Sequence, residues 1–206
     1  MKSFVKDLFN VPNTMSLLRI LGAPLIAFFW LGLDWSVAGL ALGTVIGLTD
    51  MMDGMVARKL DQITELGALL DQLGDLVFES TCLIIAVMMG KLWTGWLILY
   101  LTREFTVMVV RSYVLGNGGS LPSTVLGKAK SSFLQWAFFL FFLGAIVLRP
   151  GTIPESWTMV GISPGQILLW IGRASILVGI GLGLLSAWSY LKAFQKFYVL
   201  EQNSSS

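Results

Sequence analysis

The apolar positions of this chain fall in long blocks separated by short or polar connections. A helix needs windows of about 20 apolar residues to cross a hydrocarbon layer, and such windows lie at roughly 15–33, 36–57, 67–89, 92–115, 130–148 and 165–190. Between them the connections alternate: LDW at 33–35 and GKLW at 90–93 are short, whereas RKLDQITE at 58–65 and GNGGSLPST at 116–124 are polar. The pattern predicts an all-α, polytopic membrane protein, one domain over 1–206, with six transmembrane helices arranged as three hairpins. Ahead of the first block, residues 1–11 place Phe4, Val5, Leu8 and Phe9 beside Lys2, Lys6 and Asp7. That spacing suits a short interfacial, juxtamembrane segment lying along the membrane surface. At the other end, residues 203–206 (NSSS) read as a flexible tail or an appended remnant.

Composition agrees with this reading: 55% of the 206 residues are hydrophobic and 13% charged, with a mean hydropathy of +0.77, too apolar for an ordinary soluble domain. A net charge of +2, with no basic run interleaved with aromatics, gives no support for a nucleic-acid partner. The single cysteine, Cys82, sits in an apolar run and reads as a small buried hydrophobe. The N-terminus carries Asp7, Asn10 and Pro12 before the first apolar block, without a small-residue cleavage pattern, so no removed signal peptide is expected. Lys2, Lys6, Arg58, Lys59, Lys128, Lys130, Lys192 and Lys196 fall on one side of the predicted arrangement, against Lys91 and Arg149 on the other. By the positive-inside tendency both termini and the 58–65 connection face the cytoplasm, in a protein integral to the cell membrane.

The costly residues are the acids inside or beside those blocks. Asp50, Asp53, Asp71 and Asp75 flank the 58–65 connection, and even low insertion scales put an Asp at a helix centre at roughly 2.5–3.5 kcal/mol. Asp50 and Asp53 are three residues apart and Asp71 and Asp75 four, so each pair shares one helix face. Two opposed faces would form an oxygen-lined cage. With no histidine in the chain, such a cage points to a hard ion, Mg²⁺ or Mn²⁺. Gly54 leaves room for a ligand against the backbone, Ala57 is small, and the planar fork of Arg58 suits phosphate oxygens. Together these predict a metal–diphosphate site.

The stretch D50-x2-D53-G54-x2-A57-R58-x8-G67-x3-D71-x3-D75 resembles the full signature of the CDP-alcohol phosphotransferases, integral membrane enzymes of phospholipid synthesis, with all eight signature positions matched. The resemblance implies transfer of a phosphatidyl group from CDP-diacylglycerol to the hydroxyl of a small alcohol, with release of CMP. It implies two metal ions held by Asp50, Asp53, Asp71 and Asp75, with Asp75 as the general base. Gly54, Ala57, Arg58 and Gly67 would line the nucleotide and diphosphate. Thr64 matches a position that contacts the nucleotide phosphates, although it suits a helix cap equally. VPNTMSLLRI resembles the opening segment that lies against the nucleotide and brings in Asn13; a proline with a polar cap at a helix start accounts for the same residues.

REFTVMVVR at 103–111, GKAKSSFLQ at 127–135 and LSAWSYLKAF at 185–194 resemble the branch of the family that makes phosphatidylglycerophosphate. On that likeness Arg111, Lys128 and Lys130 would grip the phosphate of glycerol 3-phosphate, or of inositol phosphate. Topology alone, or lipid headgroups, would also account for these cations. The third block departs from the branch: it reads LLDQLGDLVFE where LDPxADK is general, so the lysine after Asp75 is missing. Expected partners are CDP-diacylglycerol, a small phosphorylated alcohol and membrane lipids, and a homodimer is allowed. A prenyltransferase would want two separated Asp-rich motifs, and a cation transporter would not place Arg58 beside its carboxylates. Glu79, one turn beyond Asp75, is expected about 20 Å along its helix. There it needs a cation, and Arg103 and Arg173 lie at similar depth, as structural ion pairs between helices.

Overall fold

A computed structural model describes the backbone over residues 11–60, 65–121, 124–152 and 162–205, and side chains over 13–49, 67, 69–121, 124–152 and 162–199. The described residues form six helices and no strand. Helix α1 spans Val11–Ala27 and runs on as a π-helical turn, Phe28–Gly32; α2 is Ser36–Leu60, α3 Glu65–Met88, α4 Thr94–Gly116, α5 Val125–Val147 and α6 Pro164–Ser205. Each apolar window is a helix. The interfacial segment expected over 1–11 lies outside the described residues except for Val11, which opens α1. Residues 203–205, expected as a flexible tail, continue α6: after Gly183 the sequence contains neither glycine nor proline to end a helix.

Local sequence explains the first turn-around. Pro24 lies inside α1 and has no N–H to give, and just beyond it the ladder widens to the π spacing, with Leu33 N donating to the Phe28 carbonyl at 3.0 Å. Asp34 then takes φ 56°, a left-handed conformation that aspartate tolerates, and turns the chain into α2. Its carboxylate accepts from Arg149 Nη2 at 2.6 Å. The α1–α2 turn and the end of α5 therefore sit at the same end of the bundle.

Two surfaces hold the helices in place. Between α5 and α6, two glycines meet backbone and a third a side chain: a Cβ built on Gly144 would lie 2.5 Å from Leu169 N, one on Gly172 would lie 2.5 Å from Phe141 N, and one on Gly179 would lie 2.7 Å from Leu134 Cδ2. Small residues at such crossings let helices approach closely, which is how apolar helices associate when lipid competes for their side chains. The second surface is the interior, where Ile26, Trp30, Phe78, Leu83, Ile85, Phe141 and Ile176 are buried in one cluster with Cys82. Trp30 meets Phe142 at 4.8 Å between ring centres.

The outward faces are apolar as well. Leu18, Leu21, Leu25, Phe28, Trp136, Trp170 and Trp188 are all exposed, a surface that suits lipid and would be a liability in water. Three of the described helices are long and apolar enough to cross a membrane: Asn13–Gly32, Val125–Val147 and Pro164–Val199. The four aspartates of the proposed site lie on two of the other helices, α2 and α3. At 42 residues and about 1.5 Å per residue, α6 is roughly 63 Å long, twice the hydrocarbon thickness.

Candidate active site

The site begins with the face that α1 turns toward α3. Along α1 and its π-helical turn the buried residues include Asn13, Ser16, Arg19, Ala23, Ile26 and Trp30, spaced three or four apart and hence on one stripe. The stripe is polar in its first half and apolar in its second. Opposite the polar half is Gly74, where a Cβ would stand 3.2 Å from the Ser16 carbonyl oxygen and 3.4 Å from Arg19 Cβ. The two helices thus approach backbone to side-chain root between Asp71 and Asp75.

That approach decides where Arg19 goes. Its Nη1 donates to Asp71 Oδ1 at 2.9 Å and to Asp75 Oδ1 at 2.7 Å, and Arg19 itself is 1% exposed. The two acids remain open to solvent, with side chains 55% and 32% exposed. Two carboxylate oxygens from successive turns of α3 therefore converge on one cationic point, as the four-residue spacing predicts. A hard-oxygen donor pair around a point charge is chemistry that Mg²⁺ or Mn²⁺ also accepts, so these residues fit the expected ion. Asp50, Asp53, Gly54, Ala57 and Arg58 are on the last turns of α2, whose backbone is helical there; their side chains, and all of Thr64, lie outside the described residues. Gly67 is half-buried in the first turn of α3.

Arg19 escaped the sequence reading. The signal was present: an arginine in an apolar window needs an acid partner as much as Arg103 or Arg173 does.

Deeper in the bundle the pairing differs from the expectation. Glu79 pairs with Lys130 Nζ at 2.7 Å and accepts from the Tyr100 hydroxyl at 2.6 Å, and neither Arg103 nor Arg173 pairs with it. Depth along a helix was the wrong criterion, because direction around the helix separates the candidates. Arg103 faces α6, where Nε donates to the Gly183 carbonyl at 2.9 Å, and Nη1 reaches its neighbour Glu104 at 2.6 Å. Lys130 also holds Glu104 at 2.7 Å and lies 5.0 Å from the Tyr100 ring centre. The result is a chain, Tyr100–Glu79–Lys130–Glu104–Arg103, in which the buried Glu79 and the partly buried Glu104 face two buried bases. Such a network is tolerated because the partners satisfy one another.

The three cations expected at the acceptor phosphate have separate surroundings. Lys130 is buried between Glu79 and Glu104. Arg111 is half-buried, reaching the Leu121 carbonyl at 3.3 and 3.4 Å and lying 5.6 Å from the Tyr190 ring centre. Lys128 is exposed in the first turn of α5. The loop before α5 is fixed by Thr124, whose N donates to the Tyr190 hydroxyl at 3.1 Å and whose hydroxyl contacts that of Ser186 at 2.7 Å.

Comparison with known proteins gives the family. The sequence pattern of the family described as CDP-alcohol phosphatidyltransferase matches residues 9–181. The chain is 29% identical over 197 residues to the CDP-diacylglycerol–glycerol-3-phosphate 3-phosphatidyltransferase of Bacillus subtilis, covering 89% of this chain and 94% of the relative. The enzyme of the same name from Rickettsia bellii is 28% identical, with 92% and 97% covered. The CMP-forming cardiolipin synthase of Streptomyces coelicolor is 33% identical over 150 residues, 65% of each chain. The paired acids on α3, the helical end of α2 that carries the other two and the match along most of the chain lead to one assignment: this membrane protein belongs to the CDP-alcohol phosphatidyltransferase family.

Proposed function

We propose that the protein transfers the phosphatidyl group of CDP-diacylglycerol to a hydroxyl of glycerol 3-phosphate. The observation that carries the reading is the convergence of Asp71 Oδ1 and Asp75 Oδ1 on one cationic point at the solvent-open end of α3. The names of the Bacillus and Rickettsia relatives supply the acceptor. In the reaction the acceptor oxygen forms a bond to the phosphorus that bears diacylglycerol, the anhydride bond to CMP breaks, and the hydroxyl proton goes to Asp75, which is partly exposed beside Arg19. Asp50, Asp53, Asp71 and Asp75 would hold two Mg²⁺ or Mn²⁺ ions, which when bound supply charge neutralisation for the diphosphate and for departing CMP. Arg58 holds phosphate oxygens, while Gly54, Ala57, Gly67, Asn13 and Thr64 border the nucleotide.

For the acceptor phosphate we assign Arg111 and Lys128, whose described contacts, a carbonyl and the Tyr190 ring for Arg111 and solvent for Lys128, include no acid. Lys130, matched by two acids, fixes the floor of the pocket. A second acceptor reading, phosphatidylglycerol, is favoured by the likeness to cardiolipin synthase. We further place both termini and the site on the cytoplasmic side, with all six helices crossing the membrane. The bias of Lys and Arg supports this, as does the Asp34–Arg149 pair at the end opposite the site.

The test is CMP release by purified protein in detergent. Release should require Mg²⁺ or Mn²⁺ and glycerol 3-phosphate, and should disappear in Asp71→Ala. Turnover in chelator would remove the metal assignment, and turnover with phosphatidylglycerol in place of glycerol 3-phosphate would favour the second acceptor.

A further inference from the structure

Arg19 puts a single nitrogen, Nη1, against Oδ1 of both Asp71 and Asp75. The close approach of α1 and α3 at Gly74 holds the root of the side chain in place, so the guanidinium is directed at these acids. A divalent ion ligated by the same two oxygens needs the point where Nη1 stands. Two cations cannot share that point at contact distance, because they repel. Arg19 must therefore give up the acids when they take a metal, and a buried guanidinium then needs new acceptors. The ligand that arrives with the metal carries them: the diphosphate oxygens suit a planar, five-donor cation.

We infer that Arg19 is a positioning residue that competes with the metal for Asp71 and Asp75 and is drawn off them by the substrate diphosphate, so that metal and nucleotide bind cooperatively through it. The inference deepens the proposed function and rests on its metal assignment. Without substrate the arginine keeps the acids neutralised and weakens metal binding. With substrate the same arginine becomes a phosphate ligand and the acids are released. Linkage makes the effect reciprocal: whatever factor nucleotide adds to metal affinity, metal adds to nucleotide affinity.

Mn²⁺ binding to the full-length protein in detergent, followed by the spin-resonance signal of free Mn²⁺ with and without CDP, tests this. Asp71→Asn protein provides the correction for Mn²⁺ held by CDP alone. In the unaltered protein CDP should tighten Mn²⁺ binding by at least about tenfold, within the usual range of coupling between sites. Arg19→Gln should bind Mn²⁺ without CDP at least about tenfold more tightly than the unaltered protein, and CDP should then tighten it by a smaller factor than in the unaltered protein, the remainder coming from direct contact of the ion with the diphosphate. Because both acids are open to solvent, Arg19→Gln is expected to fold. If its melting shows otherwise, Arg19→Lys carries the test: a shorter ammonium reaches one acid at a time and should bind Mn²⁺ at least about threefold more tightly without CDP. Unchanged or weaker Mn²⁺ binding in the variant that folds, or full retention of the CDP effect, would overturn the inference alone. Absence of Mn²⁺ binding by the unaltered protein in either condition would overturn the metal assignment and the inference with it.

Discussion

A charged side chain in an apolar bundle survives only with its counter-charge in reach, and removing one member leaves the other exposed to the full desolvation cost. Glu79 and Lys130 are such a pair, both almost fully buried. Glu79→Gln and Lys130→Met should each destabilise the protein by about 3–5 kcal/mol, the usual scale for breaking a buried pair. The double variant should cost at least about 1 kcal/mol less than the sum, because no charge is then stranded. Glu104 and Arg103 remain matched to each other in that variant. Unfolding in mixed micelles measures all three, and additivity would show that the pair is not energetically coupled. At the mouth of the site Asp75 carries a different burden. Asp75→Asn should lower turnover by at least about 10²-fold, the scale for a general base, while CDP-diacylglycerol binding falls by less. Equal loss of both would assign Asp75 to binding alone.

Helix against helix, the molecule relies on absent side chains. Gly172 faces the Phe141 backbone, while Gly181, nine residues on along the same helix, has nothing within 4 Å of its would-be Cβ. Gly172→Ala should therefore destabilise by about 1–3 kcal/mol through overpacking, despite the better helix propensity of alanine. Gly181→Ala should be neutral or slightly stabilising. Thermal melting of the two variants side by side separates packing from propensity, because the sequence change is the same. Elsewhere polar residues do the fixing: Thr124 caps α5 by accepting from Gly127 N at 3.0 Å, and its contacts to Ser186 and Tyr190 tie that cap to α6 beside the proposed acceptor pocket.

For the whole molecule, the end at which each turn lies fixes where chemistry can occur. Asp34 is highly exposed and pairs with Arg149 at the end opposite Asp71 and Asp75, while Lys192 is exposed on the distal part of α6. With the native Cys82 buried, a membrane-impermeant maleimide should ignore the unaltered protein. In intact cells it should label an Asp34→Cys variant and leave a Lys192→Cys variant unlabelled until the membrane is opened. The reverse order would invert the proposed orientation. The length of α6 fits the same picture: the helix is too long to end within the bilayer, and its distal aromatics pack on the rest of the site end, Phe194 against Tyr113 at 5.4 Å between ring centres.

The sequence by itself determined the number, order and type of the described helices, because each apolar block is long enough to require a helix. It also determined that Asp71 and Asp75 share a face, since a four-residue spacing on a helix leaves no other arrangement. Which groups meet across helices was not determined in this way. Spacing gives depth but not direction, so Glu79 was matched with Arg103 or Arg173 by level, whereas the rotation of α3 and α5 brings Lys130 to it. Arg19 was readable as a residue in need of an acid, but only the close approach of α1 to α3 at Gly74 shows that those acids are Asp71 and Asp75. Lys130, Arg111 and Lys128 were grouped by charge and by nearness in the sequence, yet the turn from α4 into α5 and the packing on α6 send one inward to two acids, one to a loop carbonyl and one to solvent. Periodicity within a helix is a local property fixed by covalent geometry, whereas the angle at which one helix presents itself to another is set by the packing of side chains distant in sequence, and only the folded molecule contains it.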